Sequence, residues 1–382
     1  MGIPLLQQYR VGTYILGQKL AGNRRYPLVL MLEPLFQCNL ACEGCGKIAY
    51  PDDILAQRMS AEECLEAVDE CGAPVVSIAG GEPLLHKEMP RVVDGIIRRR
   101  KFVYLCTNAL LATKRMKDYT PSPYLTFSIH LDGDRERHDA SVCQEGVYDR
   151  ATEAITKLRE AGFRVNVNCT LFQGEDPERA RDFFDEATSL GVEGITVSPA
   201  FDYEGAKRHD IFMGIRTIKE LFRGIFRAGK GHKWPLSHSG LYLDFLAGNQ
   251  DYACTPWGNP TRNIFGWQRP CYLHADGGYA PTFRALMAET DWEAYGVGRH
   301  PKCDNCMAHC GFEATAVEDT VRHPWKALKT ALRGPRTEGP MAPDPPPAEP
   351  RKAPDTVATI PVEAIGRSTG EKPAHGANRQ VG

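Results

Sequence analysis

Leu28-Val29-Leu30-Met31-Leu32-Glu33-Pro34-Leu35-Phe36-Gln37-Cys38-Asn39-Leu40-Ala41-Cys42-Glu43-Gly44-Cys45 joins an apolar run to three cysteines at x3 and x2 spacing. The run reads as a buried strand, and the cysteines as the loop leaving its C-terminal end. Three cysteines this close, among polar and glycine neighbours, do not read as core packing. Three thiolates are one ligand short of a closed tetrahedral zinc site and one short of a fully protein-ligated four-iron cluster. A cluster with one open iron is the reading favoured here. Buried free thiols, or half of a zinc site completed by distant residues, are the alternatives.

Downstream, β-rich runs at 75–79, 103–106, 125–131, 164–171 and 194–198 alternate with helical patterns at 61–71, 88–100, 148–161 and 177–190. Such alternation predicts a parallel sheet. Six units predict an α/β fold, a partial (β/α)6 TIM-like barrel with its chemistry at the C-terminal ends of the strands, where the cysteine loop sits. The barrel is expected over residues 27–230, preceded at 1–26 by an amphipathic helical segment carrying Leu5, Leu6, Tyr9, Ile15, Leu16 and Leu20 among Gln7, Gln8, Arg10 and Lys19. That segment packs on the body of the protein in the plainer reading, and lies on a membrane surface if the substrate is a lipid. A small cysteine-containing C-terminal domain is expected at 231–325. Residues 326–382 form a proline-rich tail expected to be disordered.

The 382 residues are 42% hydrophobic, ample for a packed core. No apolar run is long enough to span a bilayer and no signal-peptide core is apparent, so the expected compartment is the cytoplasm. Thirteen cysteines in short clusters fit metal or cluster ligation in a reducing compartment better than disulfides. A net charge of −2 without a basic stripe argues against a nucleic-acid partner.

The cysteine triplet after a first strand resembles the Cys-x3-Cys-x2-Cys motif of the radical SAM superfamily. The resemblance implies a [4Fe–4S] cluster held by Cys38, Cys42 and Cys45, with S-adenosylmethionine (SAM) bound at the open iron and a one-electron reductant such as flavodoxin or ferredoxin. The position before the third cysteine is usually aromatic in that superfamily and is Gly44 here, so adenine stacking is expected from elsewhere, Phe36 or Tyr50. Gly80-Gly81-Glu82-Pro83 after the second strand resembles the segment that holds the methionyl amine: the glycines allow close backbone approach, and Glu82 can accept from an ammonium group. Ser128 and His130 sit where the family lines its pocket, and His130 stands where many relatives have serine. Asn166 and Asn168 share one strand face within reach of ribose hydroxyls. Cys106 ends the third strand near the expected radical, and a thiol S–H can give a hydrogen atom to a carbon radical.

Taken with Pro4-Leu5-Leu6-Gln7-Gln8 and 257–272, these segments are similar to the adenosyl-hopene transferases (adenosylhopane synthases) of hopanoid biosynthesis. In that family the 5′-deoxyadenosyl radical adds to the alkene of diploptene, a triterpene lipid. Cys106 would then reduce the resulting tertiary radical to give adenosylhopane, with SAM consumed as cosubstrate. A lipid substrate implies peripheral contact with the inner face of the cell membrane. Further on, Cys271, Cys303, Cys306 and Cys310, with Cys254 upstream, can supply four thiolates to a second metal site, an auxiliary cluster or zinc. Two rival readings stand: a radical SAM enzyme abstracting hydrogen from a peptide or small metabolite, and a non-catalytic zinc scaffold.

Overall fold

The apolar run before the cysteines forms β1 (Val29–Glu33), and five strands follow it in parallel: β2 (Val75–Ile78), β3 (Phe102–Thr107), β4 (Leu125–His130), β5 (Arg164–Leu171) and β6 (Gly194–Pro199). This computed structural model describes residues 2–203, 205–229 and 231–348. Register pairs Val29 with Val75, Val75 with Phe102, Val103 with Leu125, Ser128 with Asn166 and Asn166 with Gly194. The N-terminal segment holds α1 (Leu5–Leu20). The connections between strands carry α2 (Asp52–Leu55), α3 (Ala61–Cys71), α4 (Met89–Arg98), α5 (Ala112–Arg115), α6 (Arg135–Ser141), α7 (Val147–Glu160) and α8 (Pro177–Ser189). This is the expected α/β partial barrel: parallel strands with a helical crossover at each step.

Period two gives each strand two faces. Leu30, Leu32, Val76, Ile78, Val103, Leu105, Phe127, Ile129, Val165, Val167, Ile195 and Val197 are buried in one core with the crossover helices. Their neighbours Met31, Ser77, Tyr104, Cys106, Ser128, His130, Asn168, Thr170, Thr196 and Ser198 line a cavity on the other side. Each fully buried Leu, Ile, Val or Phe contributes about 1.5–3 kcal/mol, so the apolar face anchors the sheet and leaves the opposite face free for chemistry. Helix ends are set locally. Ser60 accepts from the Glu63 amide while the Glu63 carboxylate accepts from the Ser60 amide, starting α3, and Gly72 at φ 73° ends it.

After β6 come α9 (Ile215–Ala228), α10 (Gly240–Leu246), β7 (Thr261–Asn263), β8 (Gly266–Gln268), β9 (Tyr279–Ala280), α11 (Phe283–Glu289), α12 (His309–Arg322) and α13 (Pro324–Arg333). Residues 231–325, expected as a small C-terminal domain, extend the barrel sheet: β7 pairs in parallel with β1 (Met31 with Thr261). The result is a single sheet of order β6-β5-β4-β3-β2-β1-β7-β8-β9. Trp267 of β8 is fully buried in the same core as the barrel strands.

The first part of the expected tail, residues 326–348, is tied to the body of the protein. α13 runs to Arg333, and two buried cations of α9 bind the strap that follows. Arg223 donates to the carbonyls of Gly339 and Pro340, and Lys219 donates to the carbonyl of Ala342 and the carboxylate of Asp344. Polar pairing, not apolar burial, holds this strap, which is why its composition reads as disordered. The remainder of the expected tail, from residue 349, lies outside the described residues. Among the described residues no helix is long and apolar enough to cross a membrane.

Candidate active site

The cavity on the polar face of the sheet has a volume of about 1040 Å³, and it brings together Cys38, Cys42, Cys45, Gly80, Gly81, Glu82, Cys106, Ser128, His130 and Asn168. Asn166 is not among its lining residues. Its amide donates to Thr196 and accepts from Ser237, tying β5 to β6 and to the chain beyond.

The glycine pair places the cysteine loop. The Gly81 amide donates to the Leu35 carbonyl at 2.9 Å, and the Glu82 amide to the Gln37 carbonyl at 2.9 Å. A Cβ on Gly81 would lie 2.0 Å from the Gln37 carbonyl oxygen, and one on Gly80, at φ +106°, would lie 2.3 Å from that of Leu35. Only glycine lets the β2 exit zip against the segment that enters Cys38. The buried Glu82 carboxylate accepts from the Leu84 amide (2.9 Å), the Thr107 hydroxyl (2.8 Å) and the Asn108 amide (2.9 Å). Three of its roughly four acceptor positions are thereby filled, which leaves one on Oε2 for a bound ammonium group. Burial raises its pKa against those donors.

Cys38, Cys42 and Cys45 are all unbridged. Burial pushes the Cys38 thiol up to about 11 and raises the other two as well. Among the described residues, only His274, His300 and Cys303 bring three donor atoms within 4.8 Å of one another. The Cys38 loop is more widely spaced, which suits a multi-iron cluster better than a single zinc ion. Asn108 braces it, donating to Asn39 at 2.7 Å and approaching the Cys38 sulfur at 3.8 Å.

Lys47, two residues past Cys45, lines the same space. Its ammonium reaches the Glu33 carboxylate at 3.2 Å and the Tyr272 carbonyl at 2.7 Å, and lies 4.4 Å from the centre of the Tyr272 ring. Sequence reasoning missed this group, although Glu33, a charge at the end of an apolar strand, was the available signal.

Cys106 stands on the cavity floor opposite Ser128 in the register of β3 and β4, with its sulfur 3.5 Å from the Ser77 hydroxyl. Burial raises its pKa over the opposing hydrogen bonds from Ser77 and Ser128, so it stays a neutral thiol with its S–H intact. His130 pairs with Asp132 at 2.7 Å, and Asp132 also accepts from the Thr170 amide at 2.7 Å.

The expected stacking partners are displaced. Phe36 and Tyr50 stack on each other at 4.8 Å and neither lines the cavity. Phe172, just past β5, comes to Gly44 instead: a Cβ there would meet its ring at 2.9 Å. Phe172 lines the cavity, with Phe212 6.4 Å away between ring centres.

Towards the C-terminus, Cys271, Cys303, Cys306 and Cys310 do not converge tightly enough for one ion. Cys303 is held 3.4 Å from His274 Nε2, with His300 stacked on His274 at 5.5 Å. Burial raises the Cys254, Cys271, Cys306 and Cys310 thiols. Cys254 and Cys310 also feel the charges of Cys271 and Cys306. His309 of α12, unremarked in the sequence, binds the Ser198 hydroxyl at 2.8 Å and so fastens this region to the end of β6.

Residues 32–187 match the family model described as the Radical SAM superfamily. The stretch from β1 to α8 is a radical SAM domain. Residues 195–330 match a domain of unknown function, DUF3463. Fe-coproporphyrin III synthase of Methanosarcina barkeri is 28% identical over 140 residues, 35% of each chain. Mycofactocin maturase MftC of Mycolicibacterium smegmatis is 29% identical over 141 residues, 36% of each. The chain thus spans about a third of the length of these two relatives. The solved structure of native anSMEcpe with bound AdoMet and a Cp18Cys peptide shares the fold at a TM-score of 0.55 and 15% identity, covering 80% of this chain and 99% of that one. The radical SAM match, which contains Cys38, Cys42 and Cys45, implies a [4Fe–4S] cluster and SAM as cofactors.

Proposed function

We propose that this radical SAM domain transfers the 5′-deoxyadenosyl group to the alkene of diploptene, making adenosylhopane. The observation that carries the reading is the cavity itself. One space holds the cysteine loop at one end and the neutral Cys106 thiol on its floor, then runs past Leu28, Leu236, Leu243 and Val317 to α1 and α13. Its volume is at the upper end of the roughly 300–1,000 Å³ usual for ligand sites, which suits a nucleoside beside a large hydrocarbon.

In this reading Cys38, Cys42 and Cys45 hold the cluster, and Gly80, Gly81 and the remaining acceptor position of Glu82 receive the methionyl amine. Ser128, His130 and Asn168 offer polar groups to the rest of SAM. When bound, the reduced cluster supplies the electron that cleaves SAM into methionine and a 5′-deoxyadenosyl radical. Addition to the alkene forms one C–C bond and leaves a tertiary carbon radical. Cys106 then gives up its hydrogen atom, and the sulfur radical is restored to a thiol by one electron from the flavodoxin- or ferredoxin-type reductant and one proton from solvent. The apolar walls keep water from the carbon radical.

The wider proposal places the protein in the cytoplasm, in peripheral contact with the membrane that supplies its lipid. The C-terminal donors form a second metal site within it, either a cluster on the spaced thiols or one ion at His274, His300 and Cys303. The second reading, hydrogen abstraction from a peptide or small metabolite, draws support from the maturase and synthase named among the relatives. The two readings predict different products. Anaerobic incubation with SAM, dithionite and diploptene, followed by mass spectrometry, yields a lipid heavier by one adenosyl group under the first. Under the second, 5′-deoxyadenosine accumulates and the lipid mass does not change.

A further inference from the structure

We propose that α1 and α13 together form a docking face for an anionic bilayer surface, through which the cavity receives its apolar substrate. The proposal deepens the reading of a lipid substrate and rests on it. Both helices line the same cavity, α1 through Val11 and Ile15, α13 through Leu328 and Ala331. They are tied to α12 between them in sequence: Ile15 packs with Ala314 and Val317, and Lys19 pairs with Glu318 at 3.9 Å.

Their outer faces carry most of the large exposed apolar side chains among the described residues. Leu5 is 79% exposed, Leu20 80%, Trp325 81% and Leu332 78%, with Tyr9 and Leu16 also open. Large apolar side chains exposed on two helices that border one cavity exceed the singly scattered apolar surface of a soluble monomer, and exposed apolar groups of this kind mark interaction sites. Tyr and Trp are the side chains that favour the membrane–water boundary.

Charge identifies the occupant. The chain as a whole is nearly neutral, yet neither α1 nor α13 contains an Asp or Glu, while they carry Arg10, Lys19, Lys326, Lys329 and Arg333. The acids of neighbouring α12 are already matched: Glu318 pairs with Lys19 and Arg322, and Asp319 with His323 and Lys326. Arg10, Lys329 and Arg333 have no ion-pair partner among the described residues. Apolar side chains set among unpaired cations fit a surface-lying, anionic-lipid-binding face.

The test is sedimentation of the cluster-loaded full chain with vesicles of phosphatidylcholine alone and of phosphatidylcholine with phosphatidylglycerol. Wild type is expected to sediment with the anionic vesicles and to be released by salt. The Lys329→Gln, Arg333→Gln variant should bind roughly 30-fold more weakly, from about a factor of five per cation. A Leu5→Gln, Leu20→Gln, Trp325→Gln, Leu332→Gln variant changes only exposed side chains that do not line the cavity. It should stay in the supernatant yet turn over detergent-dispersed substrate like wild type. Equal recovery with both vesicle types, or unchanged sedimentation of either variant, overturns the proposal. So does a wild-type dimer that the four-site variant converts to a monomer, because the face then binds protein. Vesicle binding without any adenosylated lipid would keep the docking face and remove diploptene as substrate.

Discussion

The Cα of Gly44 lies so close to the ring of Phe172 that a Cβ there would come within 2.9 Å of Cε1. An aromatic side chain at position 44 and the present position of Phe172 exclude each other. The ring that neighbours the third cysteine therefore comes from the end of β5. We expect Phe172→Ala to weaken SAM binding by about 1–3 kcal/mol, the usual worth of one base–aromatic stack, or roughly 5- to 150-fold in Kd. Anaerobic equilibrium dialysis with labelled SAM measures it, and an unchanged Kd would remove Phe172 from the adenine site.

Cys106→Ala removes a hydrogen donor and little volume, so iron content and thermal midpoint should stay close to wild type. Formation of the reduced product should fall by at least about 100-fold, the scale of losing a group that acts on the reacting atom, while SAM cleavage continues. Normal yields of reduced product would refute the role.

Gly81→Ala drives a methyl group into the Gln37 carbonyl, 2.0 Å away. Overpacking against backbone costs about 1–3 kcal/mol, and the displaced segment is the one that delivers Cys38. A lower thermal midpoint and less iron per chain are expected together. Full iron loading in a variant of normal stability would show that the zipper does not position the loop.

His130 and Asp132 give stability a pH dependence. Burial lowers the His130 pKa, but the Asp132 carboxylate outweighs it and the net shift is upward. His130 therefore stabilises fully below about 6.5, its ordinary value, and its contribution is lost as pH rises through the raised one. Burial raises the Asp132 pKa, but His130 and His138 outweigh it and the net shift is downward. Its contribution is present above about 3.9 and lost as pH falls through the lowered value. His138, lowered to about 4 by burial and by His130, adds a loss of stability as pH falls from about 6.5. Thermal midpoints from pH 5 to 9 should decline on the alkaline side, and Asp132→Asn should flatten that decline. An identical alkaline slope in the variant would place its origin elsewhere.

Replacing Cys38, Cys42 and Cys45 together by alanine should remove the SAM-binding iron. Metal that remains must sit on the C-terminal donors. Zinc that disappears on further His274→Ala substitution belongs to His274, His300 and Cys303, whereas iron that disappears on Cys271→Ala belongs to the spaced thiols. A metal-free triple variant would leave both sets as structural thiols and imidazoles.

Much of the site was legible along the chain because the signals are local. Cys38, Cys42 and Cys45 declare themselves by spacing, Gly80 and Gly81 by following a strand, and Cys106, Ser128, His130 and Asn168 by falling on one face of their strands at period two. Glu82 was legible as a site residue but not as a brace, since its partners Thr107 and Asn108 come from the next strand. The anchoring of the strap at 334–348 was not legible because its partners Lys219 and Arg223 lie more than a hundred residues away in the chain.

By itself, the sequence determined the alternation of strands and helices, the cysteine loop at the end of β1 and the division of each strand into a core face and a chemical face. Periodicity and short spacings carry those, and both are properties of a few consecutive residues. Only the tertiary structure decided that Phe172 meets Gly44, that Cys303 comes within 3.4 Å of His274, that β7 extends the barrel sheet, and that α1 and α13 border one cavity. Each of these depends on how crossover connections bring distant segments into register, and no local pattern encodes that.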